Sequence, residues 1–171
     1  MKDKIEKLRR VHRVARAGLI KTLDGITEEQ LYWQPAAESR SIGDMMRHLI
    51  RVDMWFYKRH DITPDVADIK RPTVTQLQTM LQQALGQYEA ILDGLESDAL
   101  LDRRTTAADK VPYKSLGAVM AHIPQHYLYH MSQMIYLRRA QDRTWESPLP
   151  EWETATDVIA QYMVGMAGEH E

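Results

Sequence analysis

VTQLQTMLQQALGQYEAILDGL, residues 74–95, is the stretch that indicates the fold class most directly. Its apolar residues recur at alternating steps of three and four, so they share one face of an α-helix. A stripe of this width faces a core that is shared with other helices. The apolar positions are Val74, Leu77, Leu81, Ala84, Tyr88, Ile91 and Leu95.

Three other segments of the chain have the same helical spacing. Four amphipathic helices with apolar faces of this width predict an all-α protein, a four-helix bundle. The three further stripes are Ile5, Leu8, His12, Ala15, Leu19 and Leu23; Ile42, Met45, Leu49, Val52 and Phe56; and Leu116, Met120, Ile123, Tyr127, His130, Met134 and Leu137.

Capping motifs mark the starts of the predicted helices. A hydroxyl residue followed three positions later by an acid or amide is typical of the capping box. Such pairs are Ser41 with Asp44, Thr73 with Gln76, Thr27 with Gln30, and Thr154 with Asp157. The last two pairs predict additional short helices. Ser115 is expected to cap the fourth long helix, and Gly25 to follow the end of the first.

Two links between the stripes, about residues 61–72 and about residues 102–114, are long for a bundle of alternating helices. Twelve extended residues reach about 40 Å, which is longer than a bundle helix. One link could therefore run the length of the bundle and leave two consecutive helices parallel, and the sequence leaves this open. Residues 105–113 could at most form a short β-ribbon.

Composition limits the classes of function. The 171 residues are 44% hydrophobic and 27% charged, as expected of one globular domain with a sizeable core. A formal charge of −2 argues against a nucleic-acid coat protein. The absence of cysteine excludes disulfides and thiolate metal sites. With no signal peptide and no apolar run of about 18–20 residues, we expect a soluble, cytoplasmic protein without a membrane or nucleic-acid partner.

Three of the seven histidines suggest a metal site. His126 and His130 are four residues apart, so both project from one face of the fourth helix. His48 lies on the inner seam of the second helix. One divalent ion bound by all three would satisfy imidazoles that are costly to bury unpaired, and it would keep an open coordination position, as catalytic zinc sites do. Because an isolated H-x-x-x-H pair is a weak signal, the alternative is a set of core histidines.

The other histidines are interpreted as structural. His122 extends the row by one turn but is expected to point past the ion. His12 lies in the first stripe and is expected to be a core histidine. His60 and His170, at a helix end and near the chain terminus, are expected at the surface.

Pro124 falls inside the fourth stripe, two residues before His126. Proline lacks a backbone donor, so it should free the carbonyl of Met120 and kink the helix. The alternative is that the helix proper begins near His122.

Several motifs together resemble the DinB-like (DinB/YfiT) family over about residues 5–140. They are YWQP at 32–35, SIG at 41–43 leading into His48, and HYLYH at 126–130 followed by Gln133 and Arg138–Arg139. The resemblance implies one DinB-like domain over residues 1–171, with a C-terminal extension at 141–171. It also implies a four-helix bundle of DinB/YfiT type with additional short helices and one long crossover connection, and a homodimer.

The resemblance implies a metal-dependent enzyme as well. His48, His126 and His130 match the family's ligands for a divalent metal ion, here Zn, Ni or Fe. Characterised relatives include thiol-dependent transferases, in which the open metal position would lower the pKa of a low-molecular-weight thiol cosubstrate and present it to a small-molecule substrate.

Candidate catalytic residues flank the three ligands. Asp44, one turn before His48, could orient that imidazole, while Tyr129 and Gln133 could hydrogen-bond the substrate. For all three, surface or packing roles are the alternative. Trp33 and Pro35 match a family loop and are expected to pack structurally.

Two other functions stay open. The same three histidines could support a metal-dependent hydrolase that uses a metal-activated hydroxide at neutral pH. The chain could also be a stress-associated metal-binding protein without turnover. Departures from the family pattern at Met131-Ser132, at Pro124 and in the extension leave the substrate undefined.

Overall fold

A computed structural model describes residues 2–105 and 115–147, together with residues 157 and 160. In this part of the chain there are four long α-helices, one short α-helix and a 3₁₀ helix at Asp98–Asp102, and no strand. The α-helices are α1, Asp3–Thr22; α2, Glu28–Tyr32; α3, Ile42–Arg59; α4, Val74–Asp93; and α5, Leu116–Gln141. The all-α prediction is confirmed.

The four stripes lie on the buried faces of the four long helices. All of their members are buried except Val52, Val74 and Ile91, which are half-buried against the core. Three of the predicted capping boxes are present, at Thr27, Ser41 and Thr73. Ser115 caps α5 by accepting from the backbone N–H of Ala118. These local signals therefore set the starts of α2 to α5.

α3 and α4 run parallel. At one end of the bundle, the Tyr32 ring lies against Gly43 in the first turn of α3, and its hydroxyl donates to the carbonyl of Pro72, just before α4, at 2.5 Å. At the other end, Arg103, beyond α4, donates to the carbonyl of His60 at the end of α3, at 3.0 Å. The link at residues 61–72 therefore runs the length of the bundle. It is the long crossover connection that the family resemblance implied, and the sequence alone had left it open.

α1 and α5 run opposite to that pair. The carboxylate of Asp98, just beyond α4, accepts from the backbone N–H groups of Lys4 and Ile5 at 3.1 and 3.0 Å, so α1 begins where α4 ends. Arg138, near the end of α5, donates to the carbonyl of Asp24, just beyond α1, at 3.0 Å. Each of α1 and α3 packs against both α4 and α5.

Pro124 lies within a helix that is continuous from Leu116, so the alternative start near His122 is wrong. The freed carbonyl of Met120 accepts a hydrogen bond from the buried Tyr88 hydroxyl of α4 at 2.8 Å. A donor from another helix thus replaces the backbone N–H that proline lacks.

Two histidines lie in the interior away from the candidate site. His12 is fully buried, as expected, and its ring stacks on Tyr88 with centroids 3.7 Å apart. His60 was expected at the surface, but it is 2% exposed, because segment 103–105 folds over the end of α3 through bonds from Arg103 and Thr105.

Some predictions fall outside the described residues. They are Thr154 of the capping pair Thr154–Asp157, His170, and residues 106–113 of the predicted ribbon. Arg104 and Ser115, which flank that ribbon, form an isolated antiparallel bridge. Among the described residues, no helix is long and apolar enough to cross a membrane.

The burial of His12 predicts a pH-dependent stability. Burial lowers its pKa to about 4, against the opposing effect of Glu89 and with small contributions from Arg16 and Arg13. The histidine of the unfolded chain has a pKa near 6.5, so it binds a proton at a higher pH than the buried His12 does. The contribution of neutral His12 to the free energy of unfolding is therefore fully present above about pH 6.5 and is lost as the pH falls toward 4. Between about pH 7.5 and about pH 5 the loss is about 2 kcal/mol.

Urea unfolding of the wild type and of His12→Phe at both pH values measures this contribution. The other histidines are common to both proteins, so the wild type should lose about 2 kcal/mol more than the variant. Equal losses in the two proteins would mean that His12 is not the group responsible.

Candidate metal centre

His48 of α3 meets His126 and His130 of α5 on the antiparallel seam between the two helices. The ring centroid of His48 lies 5.2 Å from that of His126 and 5.1 Å from that of His130, and the two α5 rings are 4.8 Å apart. One nitrogen from each ring lies within 4.8 Å of the other two. The structure therefore brings together the three histidines that the sequence analysis selected.

Burial keeps these imidazoles in the neutral form that binds metals. It is the largest cause that lowers the pKa of all three, and neighbouring histidines add to it at His126, whose pKa falls to about 4. The positive charge of Arg40 acts in the same direction on His48 and His130. At neutral pH no proton has to be displaced before these nitrogens can donate to an ion.

Gln133 determines which nitrogen of His130 is available. Its Oε1 lies 2.8 Å from Nδ1 of His130. Because an amide oxygen can only accept, Nδ1 carries the proton and Nε2 keeps its lone pair. A bond of this kind to the non-ligating nitrogen is the usual way in which a metal-binding histidine is oriented.

The donor set fits a divalent metal ion. Bonds of about 2.0–2.1 Å in a tetrahedral site place ligand nitrogens about 3.3 Å apart, which modest side-chain rotations would achieve from the observed separation of up to 4.8 Å. The buried Nδ1 of His126 has no hydrogen-bond partner among the described residues. Three neutral nitrogen donors suit Zn, Ni or Fe alike, so they do not select the metal.

His122 adjoins the three-histidine group but is not a member of it. Its ring stacks on His126 with centroids 5.3 Å apart and contacts the edge of Phe56 at 5.5 Å. No nitrogen of His122 joins the group that could hold one ion. His12, on the α1–α4 side of the core, stacks on Tyr88.

The three candidate catalytic residues have different surroundings. Asp44 bonds the hydroxyl of Ser41 at 2.6 Å within its capping box, and among the described residues it makes no hydrogen bond to His48. Tyr129 is 62% exposed, with its ring 5.0 Å from that of His130. Of the three, Gln133 alone is hydrogen-bonded to one of the histidines.

A cavity of about 580 Å³ opens beside His130. It lies between the segment before α3, the first turn of α3 and the C-terminal half of α5. Its lining residues are Pro35, Ser39, Arg40, Met45, His130, Ser132, Gln133, Tyr136 and Leu137. Of the two loop residues expected to pack structurally, Trp33 does pack against the core, whereas Pro35 is exposed and lines this cavity.

A buried polar contact that the sequence analysis did not select lies on the same seam. The hydroxyl of Tyr127 donates to the carboxyl of Asp53, and both residues are fully enclosed. Burial raises the pKa of Asp53 well above its ordinary value. Asp53 is four residues after Leu49 and three before Phe56, so its inward direction could have been read from the helical spacing.

A family model described as the DinB superfamily matches residues 12–134, well over half of the chain. The match includes all three histidines of the group and the Asp53–Tyr127 contact. No curated protein and no solved structure matches the chain.

The Asp53–Tyr127 hydrogen bond predicts that Tyr127→Phe destabilises the folded protein. The substitution keeps the buried ring but removes the hydroxyl that donates to Oδ2 of Asp53, so the free energy of unfolding should fall by about 1–3 kcal/mol. Urea denaturation of metal-free protein is the measurement. Tyr129→Phe, on the exposed face of the same helix, is the matched control and should change stability by less than about 0.5 kcal/mol. Equal stabilities of the two variants would contradict the prediction.

Proposed function

This chain belongs to the DinB superfamily, and from that premise we propose that it is a metal-dependent enzyme that activates a low-molecular-weight thiol for transfer to a small electrophile. The observation that carries the proposal is the group formed by His48, His126 and His130, whose nitrogens lie within 4.8 Å of one another beside an accessible cavity. The thiol-dependent transferases among the characterised members of the family support the proposal of thiol transfer over other reactions of a metal site.

The ligand set favours a reactive site over a structural one. Structural zinc sites are closed by four protein ligands, whereas three leave a position for an exchangeable molecule. A divalent ion held by three neutral imidazoles keeps its full charge and, when bound, lowers the pKa of a thiol or a water at the open position. Since the chain has no cysteine, the thiol has to come from a cosubstrate.

The protein's own residues hold and orient the reacting groups. Gln133 accepts from Nδ1 of His130 and so leaves the lone pair of Nε2 available to an ion. The lining of the cavity beside His130 includes the apolar side chains of Met45 and Leu137, which can contact the apolar part of a substrate. The cavity volume of about 580 Å³ suits a small molecule.

The metal assignment predicts the stoichiometry of bound ions. Protein produced without a metal-affinity tag, dialysed against Zn²⁺, Ni²⁺ or Fe²⁺ and then freed of excess metal, should carry about one ion per chain by elemental analysis. His48→Ala and His130→Ala should each lose the ion, because two imidazoles bind far more weakly than three.

His122→Ala is the matched control for these variants. It removes an imidazole that contacts His126 but lies outside the group of three, so the protein should keep its ion. Full metal occupancy in His48→Ala or His130→Ala would sink the three-histidine assignment.

The thiol chemistry predicts a spectroscopic change. Cobalt-substituted protein should develop thiolate-to-metal charge-transfer absorption when it is titrated with a low-molecular-weight thiol, because the thiol sulfur occupies the open position. The S-methylated form of the same compound, which cannot form a thiolate, should give no such band.

The alternative functions predict other results. Hydrolysis of esters or amides with an apparent pKa near 7, without any thiol band, would favour the metal-dependent hydrolase. Metal binding with neither a thiol band nor hydrolysis would favour a binding protein without turnover. Either result would overturn the proposed thiol transfer.

A further inference from the structure

The cavity beside His130 has one charged corner. Arg40, at the end of the segment that leads into α3, is the one permanently charged residue among those that line it. The rest of the lining is apolar or neutral and includes Met45, Leu137, Ser39 and Gln133. A molecule in this cavity would therefore contact His130 and a single guanidinium at the same time.

Arg40 has no ionic partner in the described part of the chain, unlike the arginines of α3 that face the crossover. The guanidinium of Arg47 lies 2.6 Å from the carboxylate of Asp68, and that of Arg51 lies 3.7 Å from it. Asp44, the first acid that follows Arg40 in the chain, accepts a hydrogen bond from Ser41 in its capping box.

Arg40 and His130 line the same cavity, which has a volume of about 580 Å³. A ligand that lies between Arg40 and His130 therefore has the size of a small molecule. The amide nitrogen of Gln133 makes no hydrogen bond to the described residues and can donate to the same ligand, since its oxygen is bonded to His130.

We propose that Arg40 is a specificity-determining residue that binds the carboxylate of a small acidic substrate whose other end lies against the three histidines. A guanidinium matches a carboxylate with two parallel hydrogen bonds, and the apolar wall formed by Met45 and Leu137 accepts a short aliphatic body. Together with the proposed function, on which this step rests, recognition of a carboxylate predicts that the thiol cosubstrate is a mercapto acid. Recognition of the carboxylate itself does not depend on it.

A pair of probes that differ in one group tests the inference. The cobalt-substituted protein is titrated with 3-mercaptopropionate and with its neutral amide, 3-mercaptopropionamide, at constant ionic strength, and the dissociation constants are read from the charge-transfer absorption. The wild type should bind the acid about tenfold more tightly than the amide, since a hydrogen-bonded charge contributes that much. Arg40→Gln should abolish this preference, and Arg40→Lys should keep part of it.

Arg10→Gln is the matched control. Arg10 is an exposed arginine of α1, outside the cavity lining, so the same change in net charge should leave the preference for the acid unaltered. An equal affinity of the wild type for acid and amide would overturn the inference. So would a preference that survives in Arg40→Gln or disappears equally in Arg10→Gln.

A second measurement separates this inference from the proposed function. If neither thiol gives a band in the cobalt protein, thiol activation fails, and the role of Arg40 is decided with metal-free protein by NMR. Butyrate should then produce saturable shifts in the side-chain resonances of Gln133 and Arg40, butyramide should not, and Arg40→Gln should abolish the Gln133 shift. The absence of a saturable butyrate shift in the wild type would overturn the inference.

Discussion

The antiparallel packing of α3 against α5 is the constraint on which the site depends, because each helix supplies only part of the ligand set. One helical turn is about 5.4 Å, so a slip of one turn would carry His48 past its partners. The Asp53–Tyr127 contact lies on the same seam, about one turn along α3 from the histidine, with both groups enclosed. Asp53 meets its donor Tyr127 in only one register of α3 against α5. In any other register the buried carboxyl would lose that hydrogen bond, which is costly.

The crossover explains how two parallel helices can frame this seam. Because α3 and α4 point the same way, the link between them has to return along the whole bundle, and Asp68 attaches it to α3 through Arg47 and Arg51. The link thus covers the outer side of α3. The start of α3 and the C-terminal half of α5, where the cavity opens, are bounded instead by the short segment that contains Pro35 and Arg40.

The sequence predicted what local periodicity determines, namely the four long helices, their caps and the helix faces on which His48, His126 and His130 lie. It did not predict properties that arise when distant segments meet. His60 looks like a surface residue at a helix end, and it is buried because segment 103–105 folds over it. His12 and His130 both occupy stripe positions, yet one stacks on Tyr88 and the other joins the histidine group. A stripe position alone cannot separate these cases, since it specifies a helix face and not the neighbour opposite. The H-x-x-x-H pair suggested the selection, and the family resemblance strengthened it.

The demands of the proposed chemistry account for the placement of the site at the edge of the core. Ligand imidazoles have to be neutral, which partial burial achieves by lowering their pKa values, whereas a substrate needs an opening. A fully buried guanidinium without a partner would cost several kcal/mol, but Arg40 avoids that cost by remaining exposed at the rim. A small acid entering this cavity would therefore find its charge attracted to the rim and its other end directed inward. That orientation requires a charged residue at the rim and a neutral histidine further in, and Arg40 and His130 both line the cavity.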